Sequence, residues 1–167
     1  CTQNGIRGGS ATVHFPIWHK EIRDILVLKN NKGTEDNRVR KLDYSIQLSR
    51  LFYERFMEAQ EISLFSPHDV PGLYDSFGTE SFDDLYVKYE LDESIPRDTV
   101  NAQELILDLL KERAETGRIY IMNIDHCNSH SSFLDKVEMS NLCQEITLPT
   151  KPIQPVSYTH LTLPTKA

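Results

Sequence analysis

Cysteine is scarce. Three residues, Cys1, Cys127 and Cys143, form an odd set with no paired spacing, which excludes a disulfide scaffold and favours a reducing, cytoplasmic setting. Long apolar runs are absent. Nothing approaches the roughly 18 residues that a membrane-spanning helix needs, so no membrane association is expected. Positive charge is in deficit, with 18 Lys and Arg against 25 Asp and Glu and a net charge of −7. A duplex-binding surface draws its affinity from phosphate neutralisation, so nucleic acid is not an expected partner. A mononucleotide is still allowed, because helix N-termini and a few local groups can hold its phosphates. An initiator methionine is also missing. The opening CTQNGIRGGS is polar and glycine-rich rather than a secretory leader, and the sequence is expected to be a segment of a longer protein. What is present, 39% hydrophobic and 26% charged residues in 167, has the balance of a globular domain.

The elements alternate. Residues 1–10 read as a glycine-rich loop. ATVHF (11–15) reads as a short strand stopped by Pro16, and 17–28 as a helix through Trp18, Ile22, Ile25, Leu26 and Leu28. DYSIQLS (43–49) alternates Tyr44, Ile46 and Leu48 on one face, a strand pattern. A helix over 50–60, with Phe52–Phe56 and Tyr53–Met57 at i,i+4, leads to a strand at 61–65. HDVPGLYDSFG is expected to be a loop with one helical turn, and 80–90 a helix. The clearest helix is predicted over 98–116. Asn101 and Glu104 have capping-box spacing, Leu105, Ile106, Leu109 and Leu110 form the apolar stripe, and Gly117 stands where a terminating glycine belongs. RIYIMNID (118–125) follows as a strand, then a polar loop, then SNLCQEI (140–146) as a last strand. About five strands alternating with helices predict an α/β fold with mainly parallel pairing.

SNLCQEI carries the chemistry. In a strand, Asn141, Cys143 and Glu145 share one face at roughly 6.6 Å intervals, while Leu142, Gln144 and Ile146 anchor the other. A thiol can give or take a hydrogen atom, a carboxylate can accept a proton, and an amide can hydrogen-bond a sugar. Taken alone, a cysteine flanked by apolar residues is more often a small buried hydrophobe. DHCNSH (125–130) offers His126, Cys127 and His130 as zinc ligands. No paired motif supplies a fourth, so metal is not expected there, and Asp125 and Asn128 read as turn-fixing residues. Tyr44, Tyr53, Tyr86, Tyr89 and Tyr120 read as packing residues.

SNLCQEITLPTKP resembles the active-site segment of the large (alpha) subunit of class I ribonucleotide reductases, with its N-x-C-x-E pattern and leucine-proline-threonine turn. CTQNGIRGGSAT is similar to that family's substrate-specificity loop. WHKEIRDILVLKNNKGTEDNRVRKLDYSIQLSRLFYERF, ISLFSPHDVPGLYDSF and ETGRIYIMNIDHCNSHSSF resemble the same family in the same order, over residues 1–152. The resemblance implies that 1–152 is a fragment of a ten-stranded α/β barrel and that the family's reaction is reduction of ribonucleoside diphosphates to 2′-deoxyribonucleoside diphosphates. It implies Cys143 as the thiyl radical that takes the 3′ hydrogen, Glu145 as acceptor of the 3′-hydroxyl proton, and Asn141 as a ribose-binding residue. It also implies Gln3 and Arg7 as the specificity-loop residues that reach the base. No cofactor is implied in this segment. A small radical-generating (beta) subunit with a metal cofactor, nucleotide effectors, a homodimer of the full-length chain, and thioredoxin or glutaredoxin as reductant are implied for the whole enzyme.

The family's reducing cysteine pair does not coincide with Cys1 or Cys127, and its radical-transfer tyrosines belong to a C-terminal region outside this stretch. The chain alone is therefore expected to be inactive and poorly stable. TLPTK occurs at 147–151 and again at 162–166, and residues 153–167 are expected to be a non-native or disordered tail. Two other readings stand beside the reductase: a non-catalytic α/β nucleotide-binding or interaction module, and a cysteine hydrolase built on Cys143 and a histidine. The hydrolase lacks any flanking nucleophile motif.

Overall fold

In the segment DYSIQL, large apolar side chains alternate with polar ones, and the chain forms a strand there whose two faces differ in chemistry. The computed structural model describes residues 2–3, 5–30, 39 and 42–149. The predicted tail at 153–167 lies outside the described residues. Two two-residue strands come first, β1 (Thr2–Gln3) and β2 (Arg7–Gly8), paired antiparallel with Gln3 opposite Arg7. Gly5, at φ +76°, supplies the positive-φ turn between them, so the expected loop is a minimal hairpin.

The central sheet is parallel. β3 (Thr12–Pro16) and β7 (Ile119–Asn123) flank β4 (Asp43–Leu48). β5 (Glu61–Leu64) pairs antiparallel with β6 (Asp98–Asn101) and joins the parallel sheet through a single bridge, His19 to Phe65. Among the described residues the sheet is open and partial, as expected of a fragment of an α/β barrel. The mainly parallel expectation holds for the central sheet and fails for β5 and β6. DTVN, predicted as the first turn of a helix, instead pairs its backbone with β5 and buries Val100.

Helices cover the apolar face. α1 (Ile22–Val27) is shorter than predicted, because Trp18 and Lys20 give their backbone groups to Phe65 instead: Phe65 N donates to Trp18 O at 2.8 Å and Lys20 N to Phe65 O at 2.9 Å. α2 (Arg50–Met57), α3 (Leu73–Ser76) and α4 (Phe82–Leu91) follow their predicted places. α5 (Ala102–Thr116) starts four residues later than predicted but has the predicted cap and terminator. Asn101 Oδ1 accepts from Gln103 N (2.9 Å) and Glu104 N (3.2 Å), and Gly117 terminates the helix at φ +66°. Glu104 binds Arg23 (2.6 Å). Leu105, Ile106 and Leu109 are buried, whereas Leu110 faces outward. α6 (Ile124–Ser129) takes the last two residues of the predicted strand and the start of the expected loop.

Six aromatic side chains, Trp18, Phe52, Phe65, Phe77, Phe82 and Tyr86, lie at the centre of the core. Phe52 meets Phe77, Phe82 and Tyr86 with ring centroids 5.5–6.3 Å apart. Such pairs contribute roughly 0.5–1.5 kcal/mol each beyond area burial. The Tyr86 hydroxyl donates to Ser63 O (2.6 Å) and accepts from Ser63 N (2.9 Å). Arg55 lies 5.1 Å over the Tyr86 ring and forms a two-pronged pair with Glu90. Gly78 has φ +86° and lies so close to α6 that a Cβ there would come within 2.7 Å of Ile124 Cγ1.

Candidate active site

The register of the parallel sheet places Thr12 and His14 of β3, Ser45 and Gln47 of β4, and Tyr120 of β7 on the face opposite Tyr44, Ile46 and Leu48. Ser45 and Gln47 are buried. Buried polar groups need partners, and the segment 138–144 supplies them. Gln47 Nε2 donates to Glu138 O (2.6 Å), and Ser140 Oγ lies 3.5 Å from His14 Nε2. Thr12 Oγ1 donates to Leu142 O (2.6 Å). Ser45 Oγ donates to Gln144 Oε1 (2.7 Å), and Gln144 Nε2 donates to Ile121 O of β7 (2.7 Å). Three adjacent strands therefore grip one short segment.

That segment is a turn, not the predicted strand. A single antiparallel bridge, Ser140 to Thr147, closes it. Gln144 N donates to Asn141 O (3.1 Å) and Asn141 N to Ile146 O (3.2 Å). Asn141 Oδ1 accepts from Ile146 N (2.9 Å). Asparagine offers the backbone a local partner in this way, and here it favours the turn over extension. Gln144 adopts φ +64°, the left-handed region. Strand alternation thus does not place the three candidate residues. Cys143 and Glu145 are exposed and Asn141 is half-buried. The expected apolar anchors also fail: Leu142 is 39% and Ile146 45% exposed. Of the three expected anchors only Gln144 holds, and it does so through hydrogen bonds.

The neighbourhood is sharply polarised between buried and open groups. Burial holds the His14 imidazole below its ordinary pKa, partly offset by a hydrogen bond to Ser140. A cleft of about 390 Å³ opens beside the turn, lined by Asn123, His126, Cys127, His130, Gln144 and Thr147. Burial, and then Asp125, push the Cys127 thiol up, which disfavours the reactive thiolate. His126 and His130 stack edge to face at 5.8 Å. Among the described residues no group of three His, Cys, Asp or Glu could hold a metal ion. Asp125 and Asn128 fix the chain as expected, though from within α6. Asp125 accepts from Arg50 N (2.6 Å), and Asn128 exchanges hydrogen bonds with the Val137 backbone at 2.7 and 3.0 Å. Gln3 and Arg7 lie apart in sequence from the turn, as facing backbone partners of the β1–β2 hairpin.

The family model described as "Ribonucleotide reductase, barrel domain" matches residues 1–157. The chain belongs to this ribonucleotide reductase barrel family. It is 56% identical over 162 residues to the ribonucleoside-diphosphate reductase subunit alpha of Haemophilus influenzae, covering 94% of this chain and 21% of that protein. It is 54% identical over 158 residues to ribonucleoside-diphosphate reductase 1 subunit alpha of Escherichia coli, covering 92% and 21%. The large subunit from Arabidopsis thaliana is 39% identical over 152 residues, covering 90% and 18%. The chain thus spans about a fifth of the length of the bacterial relatives. Residues 140–149, with the whole turn, fall inside the matched barrel region. Sequence reasoning did not single out Thr12, Ser45 or Gln47, and it set Gln144 on the anchoring face only as a companion of Leu142 and Ile146. The available signal was the polar half of an otherwise apolar alternation in DYSIQL.

Proposed function

We propose that this chain is the part of a ribonucleoside-diphosphate reductase that carries the hydrogen-abstracting sulfur. The observation that carries the reading is the turn itself: Asn141, Cys143 and Glu145 lie within six residues on a segment bonded to three strands, with the thiol and the carboxylate open to solvent. In the reaction, the Cys143 thiyl takes the hydrogen atom from C3′ of the ribose. Glu145 accepts the 3′-hydroxyl proton. Asn141 faces the sugar through its amide NH2, since its carbonyl oxygen already closes the turn. The 2′-hydroxyl leaves as water with a proton from a cysteine pair outside this chain; that pair gives two electrons and the hydrogen at C2′ as it closes to a disulfide, Glu145 returns its proton to the 3′ oxygen, and the hydrogen atom returns from Cys143 to C3′.

The names of the relatives, alpha and large subunits, support a beta partner subunit. Cys143 would receive its oxidising equivalent from a metal cofactor held by that subunit. Gln3 and Arg7 serve the specificity loop that reads nucleotide effectors and the substrate base. A full-length homodimer, cytoplasmic location, and thioredoxin or glutaredoxin as final reductant complete the proposal. Among the described residues no helix is long and apolar enough to cross a membrane. Cys143→Ser in the full-length parent, assayed with its partner subunit, should lose turnover of ribonucleoside diphosphates. Full activity in that variant would refute the assignment.

A further inference from the structure

We infer that Gln144 and Ser45 are positioning residues for Cys143, an inference that rests on the role proposed above for that sulfur. The residues on both sides of Cys143 are tied to the sheet. Leu142 is held through its carbonyl by Thr12 of β3 (2.6 Å). Gln144 is held through its side chain, taking a hydrogen bond from Ser45 of β4 (2.7 Å) and giving one to Ile121 O of β7 (2.7 Å). The sulfur-bearing residue hangs between two pinned neighbours.

Apolar burial cannot do this work. Leu142 and Ile146 are both substantially exposed, so the turn is seated by directional bonds. Gln144 also sits at φ +64°, a conformation uncommon for a residue with a side chain. Its side-chain amide donates to one strand and accepts from the next, and this bridge is what compensates the unfavourable backbone. Ser45 is fully buried, and Gln144 Oε1 is the partner of its hydroxyl. A hydroxyl facing an amide across the sheet fixes the height of the turn at the reacting atom. Hydrogen-atom transfer depends steeply on separation, so a displacement of about 1 Å can cost on the order of a hundredfold in rate. Asn141 and Glu145 ride on the same turn, so such a shift displaces the reacting groups together, and groups that act in the transition state register in kcat more than in KM.

The test uses a full-length reductase containing this segment, assayed with its partner subunit and a ribonucleoside diphosphate. Q144L should lower kcat about ten- to a hundredfold, with KM within about twofold of the parent and the thermal midpoint within about 2 °C. S45A should lower kcat by a smaller factor, S45T should restore it, and the S45A/Q144L double variant should be no worse than Q144L, because hydroxyl and amide act through one bond. Unchanged kcat in Q144L, or losses that multiply in the double variant, overturns the inference. Should Q144L fold poorly, S45A decides, since it deletes one bond and leaves the Gln144 link to Ile121: normal kcat in S45A overturns the inference. C143S separates the two levels of argument. Turnover in C143S removes the sulfur's role and this inference with it, whereas an inactive C143S beside a fully active Q144L removes the positioning role alone.

Discussion

Tyr86 shows how one hydroxyl can stand in for a strand. It donates to Ser63 O and accepts from Ser63 N, beneath the Arg55–Glu90 pair. Burial pushes its phenol well above the ordinary value, so it remains a donor throughout the accessible pH range. Tyr86→Phe strips a buried amide and carbonyl of this partner and should destabilise the full-length parent by about 1–3 kcal/mol, read from denaturant midpoints. An unchanged midpoint would contradict that account. His14 carries a pH dependence of definite sign. Above about pH 7.5 it is neutral in both folded and unfolded chains and adds none. As pH falls through the ordinary histidine value of about 6.5, the unfolded chain takes up a proton that the half-buried ring resists, so stability drops. His19, also held low by burial, acts in the same direction. His14→Gln should therefore narrow the difference between unfolding midpoints at about pH 7.5 and 5.5. Equal differences in both proteins would count against this. At this scale the sequence was legible where residue type dictates role, as for the packing of Tyr86. It was mute where role depends on a neighbour across the sheet. Ser45 and Gln47 look like solvent-facing positions of a half-buried strand until the segment 138–144 is laid over them.

Elements with local signals at both ends were readable, and elements defined by distant partners were not. α5 has an asparagine cap and a terminating glycine, and both do what the sequence predicts. Asn101→Ala should cost about 1 kcal/mol and speed hydrogen exchange at Gln103 and Glu104 about fivefold in the full-length parent. Exchange at the parent rate would show that the cap bonds contribute nothing. β6 lacked a readable pattern, because only Val100 of its four residues is buried. The turn at 140–147 misled for a different reason. Its alternating letters suit a strand, but Asn141 bonds the chain to itself and Gln144 enters the left-handed region. Neither event leaves a mark in hydrophobic periodicity. The candidate residues were thus identified from motif resemblance, while the geometry expected for them was wrong.

At the scale of the molecule, three parallel strands leave β3 and β7 as outer members of an open sheet among the described residues. Edges of this kind are templates for association with other chains. The isolated 167-residue chain should therefore unfold without a sharp transition or self-associate, as scanning calorimetry and light scattering would report. A monomeric chain with one cooperative transition would contradict this. The turn over the polar face has a further meaning for variation among sequences. Its foundations are Thr12, Ser45 and Gln144, while its outward apolar residues, Leu142 and Ile146, hold nothing in place. The scaffold that aims the sulfur and the surface a neighbouring molecule would meet are separate inheritances here, so the lining around Cys143 could be rewritten by mutation without moving the sulfur.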